Sequence, residues 1–188
     1  MNITLIVFLV VTVLIILWFI ITYNKFIAKN NRVKQTESTI CVMLKQRNDM
    51  IPNLVASVQT YMGHENLTLV KITELRSLMQ QTNNEHEQMQ LGAEISKKLA
   101  EIKVSVENYP DLKADKQFLK LFESIEEMEY QLQAARRTFN AAVVDFNNYA
   151  QMFPSSIVAS MKNYKLHELI TIPEAEMANV DVKSLFKS

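Results

Sequence analysis

The first twenty-two residues constrain this chain more than any other stretch. Ile3 to Ile21 form one apolar run, which only Thr4 and Thr12 interrupt. With a rise of about 1.5 Å per residue, a helix of this length crosses a hydrocarbon core of about 30 Å. An open strand cannot do so, because its backbone would be left unpaired in lipid. The run therefore predicts a transmembrane helix.

A cleaved secretory signal is the alternative interpretation of this run. Such a signal begins with basic residues and ends in small ones. Here Asn2 precedes the run, and Trp18, Phe19 and Ile20 stand close to its end. We therefore predict a retained membrane anchor over residues 1–22.

The charges beside the apolar run predict its orientation. Four basic residues follow it before the first acid, Glu37, and none precedes it; they are Lys25, Lys29, Arg32 and Lys34. Positive charge collects on the cytoplasmic side of membrane spans. We therefore expect a basic helical stem over residues 23–32 and a cytoplasmic body after it. An ordinary stop-transfer flank explains these charges without any specific lipid site.

Composition excludes several classes of function for the remainder of the chain. Residues 35–188 contain 16 basic and 20 acidic side chains, a net charge of −4, which disfavours nucleic acid as a partner. The single cysteine, Cys41, excludes an intramolecular disulfide and is expected to be a small buried side chain. Two glycines and four prolines indicate long helices with few tight turns.

The first long helix is predicted to continue directly from the membrane span. From residue 33 onward, a stripe with alternating spacings of three and four has seven apolar or aromatic members out of nine. A helix from Ile3 to Met62 would be about 90 Å long. Pro52 should kink it and Gly63 should stop it. The stripe consists of Val33, Glu37, Ile40, Leu44, Arg47, Ile51, Leu54, Val58 and Tyr61.

A second helical segment is predicted to begin near Asn66. Its two apolar stripes flank a polar stretch over residues 80–87, which is either a loop at the far end of a bundle or a solvated helix. Tyr109, Pro110 and Asp111 should end the segment. The stripes are Leu67, Val70, Glu74 and Leu78, and then Leu91, Ile95, Leu99, Ile102 and Val106.

The last long helix carries the clearest pattern. Apolar or aromatic residues occupy all eleven seam positions of five heptads, as in coiled coils. Asp115 is expected to cap its start and Pro154 to end it. A short helix capped by Ser155 and Ser156 should then run to Met161. The seam consists of Phe118, Leu121, Ile125, Met128, Leu132, Ala135, Phe139, Ala142, Phe146, Tyr149 and Phe153.

These segments predict an all-α fold. Its N-terminal transmembrane helix continues into the first long helix of an antiparallel bundle of three or four helices over residues 33–162. Residues 163–188 show no clear period and are predicted to be an irregular tail, extended at Thr171 to Pro173 and ordered only against a partner.

Several motifs resemble the LemA family of bacterial membrane-anchored helical proteins. Residues 44–55 and 107–119 match the most recognisable stretches of that family, and the resemblance runs from the anchor almost to the C-terminus. It implies the same helical bundle and leaves the biochemical role open. Residues 36–38 depart from the family, as does the chain after Pro154. The residues that carry the resemblance include Tyr23, Asn24, Arg47, Asp49, Pro52, Asn53, His64, Glu65, Asn108, Tyr109, Pro110, Asp111, Arg136, Arg137, Asn140, Asn147, Phe153 and Pro154.

Some polar residues interrupt or flank the apolar seams. Arg47 falls on the first stripe, where a carboxylate or helix-end carbonyls would hold it and fix the register of the helices. A ligand or anion site is the alternative for Arg47. Glu37 has Arg136 or Arg137 as a candidate ion-pair partner. Asn108, Asp111 and Asn140 are expected to cap helix ends, and Glu126, Glu127 and Glu129 to form a solvated face.

The sequence shows no constellation of residues typical of catalysis. His64 and Glu65 begin like a zinc-protease motif, but Thr68 stands where its second histidine belongs. No glutamate lies three residues before any histidine, as a di-iron bundle requires. We therefore predict neither an enzyme nor a cofactor or metal site.

Two functions remain compatible with these features. The first is a scaffolding protein of the bacterial cell membrane, with the lipid bilayer, further copies of itself and other membrane proteins as partners. The second is a sensor or adaptor that regulates a membrane protease or an envelope-stress pathway through the tail over residues 163–188.

Overall fold

The computed structural model describes residues 3–62 and 67–170, whose regular secondary structure is entirely helical. This confirms the predicted all-α fold. The helices are α1 (Ile3–Met62), α2 (Leu67–Gln81), α3 (Glu85–Val106), α4 (Pro110–Ala114), α5 (Lys116–Gln151) and α6 (Ser155–Met161). The described residues form two compact units: the first contains residues 3–37 and 137–169, and the second contains residues 38–62, 67–136 and 170.

Helix α1 is continuous from the apolar run into the body, as predicted. It extends from Ile3 to Met62 and contains Pro52, whose side chain is exposed. Proline has no backbone N–H, so Pro52 in the helix interior costs α1 one backbone hydrogen bond. Gly63, the predicted stop, lies outside the described residues.

The predicted seam of α1 is buried along most of its length. Ile40, Leu44, Ile51 and Leu54 are essentially inaccessible to solvent. Tyr61 departs from the prediction, because it is exposed and its hydroxyl donates to Asp115 Oδ2 at 3.0 Å. The exposed phenol hydroxyl of Tyr61 thus has a hydrogen-bond partner in the second unit.

The described part of the second unit contains five helical segments, contributed by α1 to α5. Arg76 Nε on α2 donates to the carbonyl of Asn48 on α1 at 3.2 Å, and Thr68 Oγ1 donates to Glu101 on α3 at 3.4 Å. Together with the pairing of Tyr61 and Asp115, these contacts require successive long helices to run in opposite directions. The antiparallel bundle is therefore confirmed within this unit.

The predicted apolar stripe of α2 is wrong. Leu67 is 84% exposed, and Val70 and Leu78 are also exposed. The stripe predicted from sequence would have buried the carboxylate of Glu74, which costs more than leaving Leu67 in solvent. The buried residues are instead Leu69, Ile72, Leu75 and Met79.

The polar stretch between α2 and α3 contains a short loop of residues 82–84. Asn84 caps α3, since its Oδ1 accepts from the backbone N–H groups of His86 at 3.0 Å and Glu87 at 3.3 Å. The stripe predicted for α3 is confirmed from Ile95 to Val106. Thus the loop reading of this stretch holds for residues 82–84, while residues 85–87 are already helical.

Helix α5 begins at a cap, as predicted. Asp115 Oδ1 accepts from the backbone N–H groups of Gln117 at 2.7 Å and Phe118 at 3.1 Å. Pro110, expected only to end the preceding segment, also begins α4, where proline fits because the first turn needs no amide donor.

The end of α5 differs from the prediction. The helix stops at Gln151, and Phe153, the last predicted seam residue, is 82% exposed. Since Phe153 lies beyond the helix, it no longer follows the heptad register that buries Phe139 and Phe146. The apolar pattern in the sequence therefore extends past the helix that it describes.

Helix α6 forms where expected but with a different cap. Pro154 occupies the N-cap position, and the hydroxyl of Ser155 donates back to the carbonyl of Tyr149 at 2.6 Å. Residues 163–170 have no regular secondary structure. Residues 171–188, including the predicted extended segment at Thr171, lie outside the described residues.

Candidate functional site

The most unusual polar group of the second unit is the buried side chain of Arg47. It is fully inaccessible and occupies a position on the apolar seam of α1. Its Nη1 donates to both carboxylate oxygens of Glu129 on α5 and to Ser96 Oγ at 2.7 Å, and its Nη2 donates to the carbonyl of Gly92 at 2.8 Å. Arg47 therefore ties α1 to both α3 and α5, as the carboxylate-held interpretation predicted.

Ser96 completes this polar centre. Its hydroxyl lies 2.8 Å from Glu129 Oε1 and 3.0 Å from the carbonyl of Gly92, so it donates to one of them while it accepts from Arg47. Burial lowers the pKa of Arg47, and the charge and hydrogen bond of Glu129 oppose that change. The nearby charge of Arg136, itself buried, lowers the pKa of Arg47 further. Glu129 is thus the group that keeps a buried cation in place.

The expectation that Glu126, Glu127 and Glu129 form a solvated face is wrong for Glu129. Glu126 pairs with Lys103 and Glu127 accepts from Gln131 at 2.9 Å, and both are exposed. Glu129 instead reaches inward to Arg47 with its side chain only 18% accessible. The heptad pattern missed this contact because Glu129 is beside the seam rather than on it.

Gly92 brings α3 close to α1 at this centre. A Cβ atom on Gly92 would lie 2.5 Å from Leu44 Cδ2 and 3.2 Å from its Cδ1. A glycine inside a helix costs about 1 kcal/mol relative to alanine. At this position, glycine lets α3 approach α1 closely enough for its carbonyl to accept a hydrogen bond from Arg47.

Among the surface cavities of the described residues, two in the second unit lie beside residues singled out from the sequence. One, of about 490 Å³, lies between α3 and α5 beside the polar centre, where Ser96 and Glu129 share its lining with apolar side chains such as Phe122 and Ile125. The other, of about 500 Å³, is lined by Cys41, Asn48 and Gln88 among others. Cys41 is expected to be buried, but in the structure its side chain is only partly buried.

An aromatic cluster dominates the first unit, just after the apolar run of α1. Phe26 is fully buried, stacks on Tyr164 with ring centroids 4.8 Å apart, and lies 4.8 Å from Tyr149 and 6.1 Å from Phe146. Burial raises the pKa of the Tyr164 phenol. Tyr164 belongs to the segment that sequence periodicity left irregular, so its packing could not be read from the pattern.

His167 fastens the same segment to α1 and α5. Its ring Nε2 lies 2.9 Å from Asn30 Oδ1, and its backbone N–H and carbonyl both bond the side-chain amide of Asn147, at 3.0 Å and 2.9 Å. Its ring packs edge-on against Phe146 at 4.8 Å. Burial lowers the pKa of His167, and the charge of Lys34 adds to this effect. We call this set of contacts the His167 clasp.

The basic residues beyond the apolar run have different surroundings. Lys29 pairs with Asp145 at 2.6 Å and lies 5.2 Å above the ring of Tyr149. Lys25, Arg32 and Lys34 are exposed. Arg32 shares a cavity of about 500 Å³ with Arg137 and Asp145. Three of the four predicted flanking charges therefore remain in solvent.

Other residues singled out from the sequence are scattered over the structure. Asn140 is in the interior of α5, so it does not cap that helix, and its predicted role at another helix end stays a prediction. Asp111 lies in the first turn of α4, and Tyr109 occupies the N-cap position of that helix without a side-chain cap. Asp49, Asn53, Asn24, Asn108 and Arg137 are exposed. The predicted pairing of Glu37 with Arg136 or Arg137 stays a prediction, and His64 and Glu65 lie outside the described residues.

The described part of the chain lacks a cluster of metal-ligating side chains. Among residues 3–62 and 67–170, no three His, Cys, Asp or Glu side chains lie close enough together to hold a metal ion. The polar centre at Arg47 has a single carboxylate, which already serves the guanidinium group. Its evident role is to hold helices together.

Comparison with known proteins agrees with this architecture. A family model described as the LemA family matches residues 36–184. A protein named Protein LemA from Metamycoplasma hominis is 26% identical over 163 residues, which cover 86% of this chain and 74% of that protein. Because the family model spans most of the sequence, including α2 to α6 and the C-terminal part of α1, the chain belongs to the LemA family.

Proposed function

We propose that this chain is a non-enzymatic scaffolding protein of the bacterial cell membrane, which assembles with further copies of itself. The observation that carries the proposal is the contrast within α1. The apolar window near its N-terminus contains no buried residue, and it is long enough to cross a membrane. An exposed apolar surface of this extent is more stable in contact with lipid than with water.

Burial in α1 begins directly after the apolar run. Thr22 and Phe26 are buried in the first unit, whereas large side chains from Ile3 to Leu17 are exposed. No helix end separates the two regions. A helix that is apolar all round and then buried on one side supports an anchor joined directly to the folded body.

The charges after the run support a cytoplasmic body. Lys25, Arg32 and Lys34 are exposed beyond the apolar segment, and positive charge beside a span favours the cytoplasmic side. A cysteine at Ser188 in a Cys41→Ala background tests this orientation on intact cells. We expect no labelling by an impermeant thiol reagent, and labelling would overturn the cytoplasmic assignment.

The polar centre supports a structural role for the body. Arg47 donates to Glu129, Ser96 and Gly92, so its terminal nitrogens are committed to helix–helix contacts. The heptad seam of α5 is buried at Phe118, Ile125 and Leu132, so it packs against helices of the same chain. These features favour a body that serves as a helical support over one that transforms a substrate.

Counting subunits in lipid tests self-assembly. The full-length chain carrying one fluorophore is reconstituted into vesicles at low density, and bleaching steps are counted for each spot. We expect several steps per spot, whereas single steps throughout would overturn the scaffold. A matched variant with a leucine run in place of residues 3–21 tells whether the body or the anchor carries the assembly.

The adaptor function makes a different prediction for the same sample. It requires contact through the tail, of which Tyr164 and His167 are already packed against α1 and α5. Deleting residues 171–188 should then abolish capture of a second membrane protein without altering helicity. Persistent self-assembly after the deletion would favour the scaffold.

A further inference from the structure

The exposed apolar residues around α6 form a second candidate surface in the first unit. Phe153 is 82% exposed, Ile157 is 48% exposed and Met161 is 66% exposed. Their spacing of four residues places Ile157 and Met161 on one face of α6, with Phe153 in line just before it. Val158 and Ala159 are buried on the opposite face. We call the outer side, formed by Phe153, Ile157 and Met161, the α6 face.

The position of this face relative to the apolar run is fixed by contacts within the first unit. Lys162, the residue after α6, places its Nζ 5.4 Å from the ring centre of Tyr23. Tyr23 lies only two residues beyond Ile21, which corresponds to about 3 Å along the helix axis. The C-terminal end of α6 therefore lies level with the end of the apolar run.

The contacts of α5 place its end at the same level. Asp145 pairs with Lys29, and Tyr149 packs against Phe26, so α5 descends toward the apolar run as its numbering increases. Met152, which follows α5 immediately, is also largely exposed. Apolar side chains thus accumulate at the end of the first unit that lies nearest the apolar run.

We propose that the α6 face lies in the membrane interface as a second lipid contact beside the transmembrane anchor. This inference rests on the anchoring part of the proposed function. A short helix with an apolar face and neighbouring lysines is suited to the boundary between headgroups and acyl chains. Lys162 and Lys165 supply positive charge beside the face, and long lysine side chains keep their ammonium groups among the headgroups.

The bilayer is favoured over a protein as the occupant because the face continues the surface that the anchor already exposes. Met161 adjoins Lys162, whose Nζ lies 5.4 Å from the ring centre of Tyr23 just beyond the span, and lysine and tyrosine are both typical of membrane interfaces. Insertion also explains why a phenylalanine in an otherwise well-packed unit leaves the core. The α6 face would hold the end of the first unit that contains α6 against the bilayer.

Depth-dependent quenching tests this proposal on the full-length chain. Cys41 is replaced by Ser, and single cysteines at Phe153, Ile157 and Met161 carry a fluorophore in vesicles of phosphatidylcholine and phosphatidylglycerol. Nitroxide lipids quench from the bilayer and iodide quenches from water. A label on Leu14→Cys reports the span, and one on Ala141→Cys, about 15 Å before the end of α5, reports the aqueous part of the same unit.

We expect labels at Phe153 and Met161 to be quenched by nitroxide lipid about half as strongly as the Leu14 label, and to resist iodide. The Ala141 label should respond only to iodide. If the labels at Phe153 and Met161 respond to iodide alone while the Leu14 label is quenched by lipid, the α6 face is in water and the proposal is overturned.

Two further outcomes also contradict it. Labels that resist both quenchers would show that protein, such as a second copy, covers the α6 face. A Leu14 label that nitroxide lipid does not quench would overturn the anchor itself and, with it, the inference. A Phe153→Gln and Met161→Gln variant, labelled at Ile157, should lose lipid quenching while its Leu14 counterpart retains it.

Discussion

The guanidinium group of Arg47 donates to the carboxylate of Glu129, 82 residues further along the chain, in the interior of the second unit. A one-turn slip of α1 against α5 would separate the two groups and leave a buried cation without its anion. Hydrophobic seams alone tolerate such slips better than a buried ion pair does. The pair therefore selects one register among those that the apolar stripes permit.

Removing Glu129 should destabilise the second unit strongly. Glu129→Ala leaves the buried charge of Arg47 without its anion, and we expect a loss of about 3–5 kcal/mol in the free energy of unfolding. Glu129→Gln, which keeps an acceptor, should lose about 1–3 kcal/mol. Urea unfolding of the full-length chain in micelles, followed by far-UV circular dichroism, measures both.

An exposed ion pair between α3 and α5 provides the control. Lys103 pairs with Glu126, and both side chains are largely accessible. Lys103→Met should therefore change the free energy of unfolding by no more than about 1 kcal/mol. If the Arg47→Met and Glu129→Leu double variant is less stable than Glu129→Ala, a register-fixing ion pair is contradicted, since apolar replacement of both partners should restore packing.

The main helices could be predicted from the sequence because apolar spacing reports them directly. The continuous α1 and the capped start of α5 at Asp115 follow from local rules that act within one helix. The buried position of Arg47 could also be predicted, because Arg47 falls on an apolar seam whose members are expected to face the core. Local patterns thus defined the elements and one member of the polar centre.

The partners of that centre needed three-dimensional information. Glu129 and Ser96 lie on different helices from Arg47, and neither stands on a predicted seam with a signal of its own. In α2, two stripes compete, and only contact with neighbouring helices selects the one with Ile72 over the one with Leu67. Tyr164 and His167 escaped prediction because irregular segments have no period to detect.

Gly92 and Leu44 should show a coupled effect on stability. Gly92→Ala gains about 1 kcal/mol of helix propensity but forces a Cβ atom into Leu44, where overpacking costs about 1–3 kcal/mol. In a Leu44→Ala background the obstruction is gone, so the same substitution should stabilise. A double-mutant cycle by urea unfolding measures this change of sign, and equal effects in the two backgrounds would contradict the close approach of α1 and α3.

The cap of α3 predicts a difference between two neighbouring asparagines. Asn84 accepts from two backbone N–H groups of α3, whereas Asn83 is an exposed loop residue. Asn84→Ala should cost about 1 kcal/mol of unfolding free energy and Asn84→Asp should retain the cap. Asn83→Ala, the matched control, should stay within about 0.5 kcal/mol of the parent chain. Equal losses at both positions would contradict the assigned cap.

The His167 clasp should weaken as the pH falls. Burial and Lys34 lower the pKa of the packed ring below its ordinary value near 6.5, so the detached segment takes up a proton at a higher pH than the packed one. Asn30 and Lys34 on α1 and Phe146 on α5 face the ring, and none of these three residues supplies an anion. The contribution of His167 is therefore complete above a pH of about 6.5 and is lost as the pH falls through its lowered pKa.

A spin label on the exposed Leu166 measures this release in the Cys41→Ser chain. We expect the label to become more mobile between about pH 8 and pH 5, because protonation of His167 opposes packing against Phe146. His167→Gln keeps a donor for Asn30 without titrating in this range, so its label should show no such transition. An identical transition in the His167→Gln variant would mean that another group controls the segment, and that the bonds of His167 do not make its attachment depend on pH.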